Sequence, residues 1–340
     1  MRPRLKNHLA NLLSSCGILA VARSLGGRHK DLIITLHRVL PLLESKQCHD
    51  EHLLLSTLAF ESLLIYLKKH CQVVSLHTLL SVGTISSHAQ RIAITFDDGW
   101  QDTFKHAFPL LIRYNVPATV FICTSLIGSS AMLPEERLTR IFDHCVANAC
   151  TPSFLQHLGV WGGAERLAAS RDWRSFTNTI PMTAKLSLTT HLEAVYGLER
   201  QREEHLMTWQ QVQTMASSGI EIGSHTANHV TLNVENRLVM ERELRDSRDV
   251  IELKLGSAPR YLSYPNGAHN QAVVLLAREA GYSHAFTMKS VSVDATKGSF
   301  TVPRLLLDDS LIGDERGDLH LAKIALLLSP LRNLLAGTRS

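Results

Sequence analysis

An α/β protein built on a parallel sheet, open or closed into a barrel, is the fold class this sequence predicts. Short apolar or β-branched runs recur along the chain, helical patterns separate them, and turn residues mark their ends. The length of 340 residues allows one large domain or two smaller ones.

The runs follow in order. "DLIITL" (31 to 36) ends at His37, "RIAITF" (91 to 96) ends at Asp97 and Asp98, "ATVFIC" (118 to 123) follows Pro117, and "IEIGS" (220 to 224) follows Gly219. "RYLSY" (260 to 264) ends at Pro265-Asn266-Gly267, "HAFTM" (284 to 288) follows Gly281, and "FTVPRLLL" (300 to 307) comes last. Helix ends are also legible. Thr208 and Gln211 fit a capping box before "WQQVQTMA", which Gly219 closes. Asn233 is expected to cap a long helix from about Val234 to Leu255, ended by Gly256, with Glu241 and Arg245 spaced for an i,i+4 pair. Residues 129 to 204 carry helical patterns and no clear strand, with breaks at Trp161-Gly162-Gly163 and Pro181, and read as a helical insertion between two strands.

With 45% hydrophobic and 19% charged residues the composition is that of a globular protein. A net charge of +4 without a basic, aromatic-interleaved stripe argues against nucleic acid as a partner. Six cysteines without a C-x-x-C pair are expected to be free thiols in a reducing compartment. At the amino terminus Arg2, Arg4 and Lys6 precede "LANLLSSCGILAVA", which has features of a signal peptide and, at "LSSC", of a lipoprotein cleavage box. The apolar run is short and interrupted by Asn11, Ser14, Ser15 and Gly17, so residues 1 to 30 are read as an uncleaved amphipathic helix. Residues 311 to 340 form a second amphipathic segment, with Leu321, Ile324, Leu327, Leu328 and Leu331 beside Lys323 and Arg332. The expected location is cytoplasmic or peripheral to the inner membrane, with contact to its surface.

Asp97 and Asp98 pose the chemical question. Neighbouring carboxylates at an apolar strand end repel each other and are poorly solvated, so a metal or a reacting proton should compensate them. An Asp-Asp-Gly turn, with Gly99 free to take positive φ, explains the pair as well by itself. His225 and His229 favour the metal. They stand four apart, a spacing that on a helical turn puts two imidazoles on one face, and they too follow a strand whose carboxyl end faces the crevice of a parallel fold. Among 18 histidines, pairs at this spacing arise by chance, so position carries the weight. Two His and one Asp leave coordination positions open, which suits catalytic zinc and equally non-haem iron.

"TFDDG", "HTANH" and "YPNG", in this order, resemble the polysaccharide deacetylase family, the NodB-like carbohydrate esterases. The resemblance runs from "LHRV" at His37, through "PATVFI" and "LMTWQQVQTMASSGIEIGSH", to "VPRL" at Arg304, covering most of residues 31 to 308. It implies an irregular (β/α) barrel with a helical insertion, and metal-dependent hydrolysis of N-acetyl groups on an amino-sugar glycan. It also implies Asp98, His225 and His229 as ligands of a divalent metal, zinc by preference, and Asp97 as general base. The segment Tyr264, Pro265, Asn266 would bind substrate, with a backbone N–H near Asn266 helping to stabilise the oxyanion. Asp97 need not be strongly basic, because the metal acidifies its water.

The chain departs from the family in two places. Many members read Arg-Pro-Pro-Tyr where this one reads Ser263-Tyr264-Pro265-Asn266, so the Arg that orients the base is missing there. Arg304 either approaches from another side or is a surface residue. The Leu-x-His motif of the general acid is also not evident: "GDLH" offers only His320, and His37, at a strand end, is the preferred acid. Trp209 and Trp161 are candidates for stacking on sugar, though Trp209 opens a helix and suits core packing. Two alternatives stay open: another amide hydrolase that opens a cyclic ureide or imide, and an inactive glycan-binding protein.

Overall fold

The computed structural model describes residues 31–45, 53–81, 89–160, 173–198, 206–288, 299–314 and 318–329. The expected amino-terminal helix, Trp161 and the last eleven residues lie outside them.

β-Branched and apolar runs become strands where the sequence places them: β1 (Leu32–Leu36), β2 (Arg38–Leu40), β3 (Leu54–Ser56), β4 (Gln72–Val73), β5 (Arg91–Phe96), β6 (Ala118–Ile122), β7 (Glu221–Ser224), β8 (Tyr261–Ser263), β9 (His284–Phe286) and β10 (Leu305–Leu306). The main sheet runs β10-β1-β5-β6-β7-β8-β9, with β4 beside the first residues of β5, and every pair is parallel. Its two edges are joined by the chain itself. Thr287 N–H donates to Val302 O and Val302 N–H to Ala285 O, both 2.9 Å, and three residues on Leu305 pairs with Ile34 of β1. The result is an irregular barrel. Its interior holds Ile33, Ala93, Phe121, Tyr261, Phe286 and Val302, while their neighbours Ile34, Ile94 and Val120 face the surrounding helices, as strand alternation requires.

Expectation and structure differ in several elements. "FTVPRLLL" pairs as a strand only at Leu305–Leu306, because Pro303 has no N–H to give a ladder. β2 and β3, a separate parallel pair, are too short for a periodic signal. The long helix is Arg237–Leu255, capped by Asn236 rather than Asn233, with Leu232–Val234 forming a 3-10 turn before it. The Asn236 side chain accepts from Val239 N–H at 3.0 Å, which fixes the start. The i,i+4 ion pairs on that helix are Arg237–Glu241 and Arg248–Glu252, so Glu241 pairs with Arg237 and not with Arg245. The capping box of Thr208 and Gln211 forms as expected.

In the insertion, the described parts of 129 to 204 are helical: Pro134–Ala147, Thr151–Val160, Trp173–Thr177 and Met182–Tyr196. They share a core of their own, including Leu138, Ile141, Phe154, Phe176 and Leu188. A half-buried pair, Arg137 with Glu193 at 2.7 Å, ties two of them together. Near the carboxyl end, the helix Leu321–Leu327 buries Ala322, Ile324, Leu326 and Leu327 in the main core. That face therefore packs against the barrel. Among the described residues no helix is long and apolar enough to cross a membrane.

Candidate metal centre

All main-sheet strands are parallel, so their carboxyl ends meet at one end of the barrel, the usual place for chemistry in such folds. β5 delivers Asp97 and Asp98 there. Successive strand residues point to opposite faces, yet both carboxylates line one cleft. The backbone resolves this: Asp98 leaves the strand with φ of 75°, and Gly99 follows at 85°. A Cβ on Gly99 would lie 2.9 Å from Ile127 Cδ1, so glycine is needed for space as well as for conformation.

β7 delivers the imidazoles. His225 and His229 do not lie on a helical turn as their spacing suggested; they flank a loop in which Thr226 (65°) and His229 (58°) take left-handed backbone. Asp98, His229 and Asn266 line one cleft in left-handed backbone, with Thr226 beside the cleft residue His225, and each such residue is worth about 1–3 kcal/mol that the surrounding structure must offset.

Asp98 Oδ1 is buried, has no hydrogen-bond partner, and lies 3.3 Å from His225 Nε2 and 3.4 Å from His229 Nε2. Its other oxygen accepts from Trp100 Nε1–H at 2.8 Å. Each imidazole is held from behind: His225 Nδ1 lies 2.8 Å from Ser263 O and His229 Nδ1 lies 3.0 Å from Glu135 Oε2. A carbonyl can only accept, so His225 carries its proton on Nδ1 and turns the lone pair of Nε2 toward Asp98. One orphaned carboxylate oxygen and two imidazole nitrogens, all within 4.8 Å of one another and oriented by outer partners, fit a divalent cation. Burial pushes the Asp98 carboxyl up, but the two imidazoles hold it well below the usual range. For His229 burial works downward, and Glu135 with Asp98 overcomes it, lifting the ring to about 10.

Asp97 is built differently. Arg304 grips it with two bonds, Nη1 to Oδ1 at 2.8 Å and Nη2 to Oδ2 at 2.6 Å. Arg304 is no surface residue: it is fully buried inside the barrel, its guanidinium 5.4 Å from the Phe121 ring centre and bonded to Thr95 Oγ1 at 3.2 Å. Ser263, at the position of the absent family Arg, accepts from Arg304 Nη2 (2.8 Å) and donates to Asp97 Oδ2 (3.1 Å). Burial raises the Asp97 carboxyl and the Arg304 charge more than reverses this, so the net is below its ordinary value.

His37, at the end of β1, lines the same cleft with Nδ1 buried and unpartnered. Burial lowers its pKa, and the facing Asp98 and Asp97 only partly counter this. His320 does not line the cleft; it sits at the start of the helix Leu321–Leu327. Of the substrate-binding segment, Asn266 lines the cleft and Tyr264 does not. Tyr264 is fully buried, with its hydroxyl donating to Phe300 O at 3.2 Å and its N–H to Phe286 O at 3.1 Å, and Pro265 has no N–H. Trp209 packs partly buried against the main core.

Sequence reasoning missed three contributors. Ser263 read as a gap in a motif. Glu135 and Lys185 lay in the insertion with no signal pointing to the site, yet Glu135 bonds His229, and the fully buried Lys185 bonds Glu135 in turn. Burial raises Glu135, but Lys185 and His229 bring it down to about 2.

Fold and site together define an α/β-barrel protein with a metal-competent cleft where its parallel strands end. The sequence model of the family described as polysaccharide deacetylase matches residues 85–158 and 178–285, more than half of the chain, and the protein belongs to that family. It is 20% identical over 226 residues to YxkH of Bacillus subtilis (strain 168), covering 66% of this chain and 54% of that protein. It is 19% identical over 257 residues to the poly-beta-1,6-N-acetyl-D-glucosamine N-deacetylase of Staphylococcus aureus (strain N315), covering 74% of this chain and 66% of that protein. The chain thus spans between half and two thirds of these relatives' lengths. Among solved structures, the Streptococcus pyogenes deacetylase PplD in complex with acetate superposes with TM-score 0.55 at 16% identity, over 83% of this chain and 94% of that one. IcaB from Ammonifex degensii does so with 0.54 at 17% identity, over 88% and 97%. At such identities the likeness carries the fold.

Proposed function

We propose that this protein hydrolyses N-acetyl groups on an amino-sugar-containing polysaccharide or glycan precursor, with a divalent metal, zinc by preference, at Asp98, His225 and His229. The observation that carries the reading is the contrast within one cleft between the orphaned Asp98 oxygen facing two imidazoles and the adjacent Asp97 locked by Arg304. A cation there would supply Lewis-acid polarisation and a more acidic water, which lets a carboxylate as weakly basic as Asp97 serve as the base. Asp97 takes one proton from the attacking water, and Arg304 keeps its plane fixed. Asn266, the member of its segment that lines the cleft, offers its backbone N–H to the developing oxyanion. His37 gives a proton to the leaving nitrogen as the C–N bond breaks, releasing acetate and a free amine. Burial makes its imidazolium a stronger acid than usual, which favours that transfer.

Arg304 on Asp97 and His37 in the cleft stand in for the two groups whose absence from the family motifs favoured an inactive glycan binder, so the hydrolase is the better-supported reading. The test is acetate release across a panel of N-acetylated glycans with the metal stripped and restored. Release that needs the metal is expected; glycan binding without release under both conditions would favour the inactive binder.

A further inference from the structure

Four buried polar atoms without a hydrogen-bond partner belong to residues lining the cleft: Asp98 Oδ1, His37 Nδ1, Glu136 Oε2 and Asn178 Oδ1. The first two are accounted for by the metal and by the leaving nitrogen. The other two belong to the insertion, Glu136 on the helix Pro134–Ala147 and Asn178 just after the helix Trp173–Thr177. A buried polar atom left unpaired costs about 1–3 kcal/mol, so two of them on residues that line one cleft call for a partner. An amide oxygen only accepts, and a carboxyl accepts in its ionised form and both donates and accepts when protonated. Their natural partners are O–H or N–H groups. The cleft volume, about 230 Å³, lies below the roughly 300–1,000 Å³ of sites that enclose drug-sized ligands and suits a single sugar ring.

We propose that Glu136 and Asn178 form a hydroxyl-recognition subsite for the sugar ring undergoing deacetylation, and that the insertion thereby selects the substrate. This rests on the deacetylase reading and adds the chemical class the roof takes: a neutral hexosamine ring presenting O–H donors. Thr139, whose hydroxyl donates to Glu135 O at 2.9 Å, also lines this wall and keeps its oxygen lone pairs to accept from a ring O–H.

The experiment uses the full chain, zinc-loaded, with an N-acetylglucosamine oligomer and its deoxy analogues lacking one ring hydroxyl at a time. Glu136→Gln and Asn178→Ala remove no internal hydrogen bond at the orphaned atoms, so both are expected to fold, which circular dichroism checks. Each should raise KM about tenfold with kcat changed less than threefold, the pattern of lost ground-state binding. In wild type, one deoxy analogue should lose a similar factor, and that loss should vanish in the matching variant. Unchanged KM in both variants, or a deoxy penalty that persists in them, overturns the subsite. If wild type releases no acetate from any glycan, the deacetylase reading fails instead. The subsite is then judged by calorimetric binding of the oligomer, which the two variants must weaken about tenfold for it to stand.

Discussion

The cleft has a floor and a roof, and they are built by different rules. The floor comes from strand ends of the closed barrel. Asp97 is gripped by Arg304 and Ser263, His225 is fixed by a backbone carbonyl, and four residues are held in strained backbone. The roof comes from helices of the insertion, whose hydrophobic core is separate and whose Glu136 and Asn178 line the cleft and carry buried polar atoms without a partner. Over-determined geometry suits groups that move protons, and unsatisfied acceptors suit groups that bind what arrives. At the metal centre a direct contact joins the two: Glu135 of the roof bonds His229 of the floor.

The largest expected effects lie on the floor. Asp98→Ala, His225→Ala and His229→Ala should each abolish tight zinc binding and, with it, turnover, because three ligands leave no redundancy. Stoichiometric zinc in all three, by elemental analysis, would break the assignment. Asp97→Asn should keep its zinc and lose about 10²–10⁴-fold in turnover, with His37→Ala in the same range and His320→Ala near wild type. Zinc lost together with activity in Asp97→Asn would mean that the two carboxylates have exchanged roles.

Arg304→Met strips a buried carboxylate of its partner. The expected cost is about 3–5 kcal/mol in urea unfolding, since an uncompensated charge remains inside the barrel. A loss below about 1 kcal/mol would show that Asp97 finds water or another partner, and the floor would be less rigid than drawn.

The contact between roof and floor has its own test. Glu135→Gln should weaken zinc affinity about 10–100-fold, the range for losing the outer partner of a metal-binding His, measured by competition with a chelator. Unchanged affinity would separate the two regions and leave the roof to substrate alone.

The smallest effect is a pH slope. Burial raises the Glu136 carboxyl from its ordinary 4.5 to about 7. Between those values the unfolded chain has released the proton that the folded one retains, so stability falls as pH rises across that window and levels off above it. The shift is worth at most about 3 kcal/mol, and solvent at the cleft mouth reduces it to on the order of 1 kcal/mol. Thermal unfolding of the metal-stripped protein from pH 4.5 to 7.5 should show this decline in wild type and a flatter curve in Glu136→Gln. Parallel curves would show that Glu136 is solvated and the roof open.

What the sequence by itself determined is local. Strand runs at 91 to 96 and 118 to 122 and the Thr208–Gln211 box are legible because each depends on neighbours within a few positions. The metal-competent trio Asp98, His225 and His229, drawn from two distant strand ends, is legible instead through the motifs "TFDDG" and "HTANH". Only the tertiary structure decided the rest. Arg304 could not be told from a surface arginine, since the Asp97 it grips is 207 positions away and only barrel closure brings them together. Tyr264 looked like a substrate contact, but just past the end of β8 its ring is buried in the core. Glu135 and Lys185 reach His229 because helices with their own core dock onto the strand ends, a packing that no periodicity in 129 to 204 encodes. Spacing along the chain reports which groups are neighbours, whereas which of them share a cleft is set by the long-range contacts that bury them.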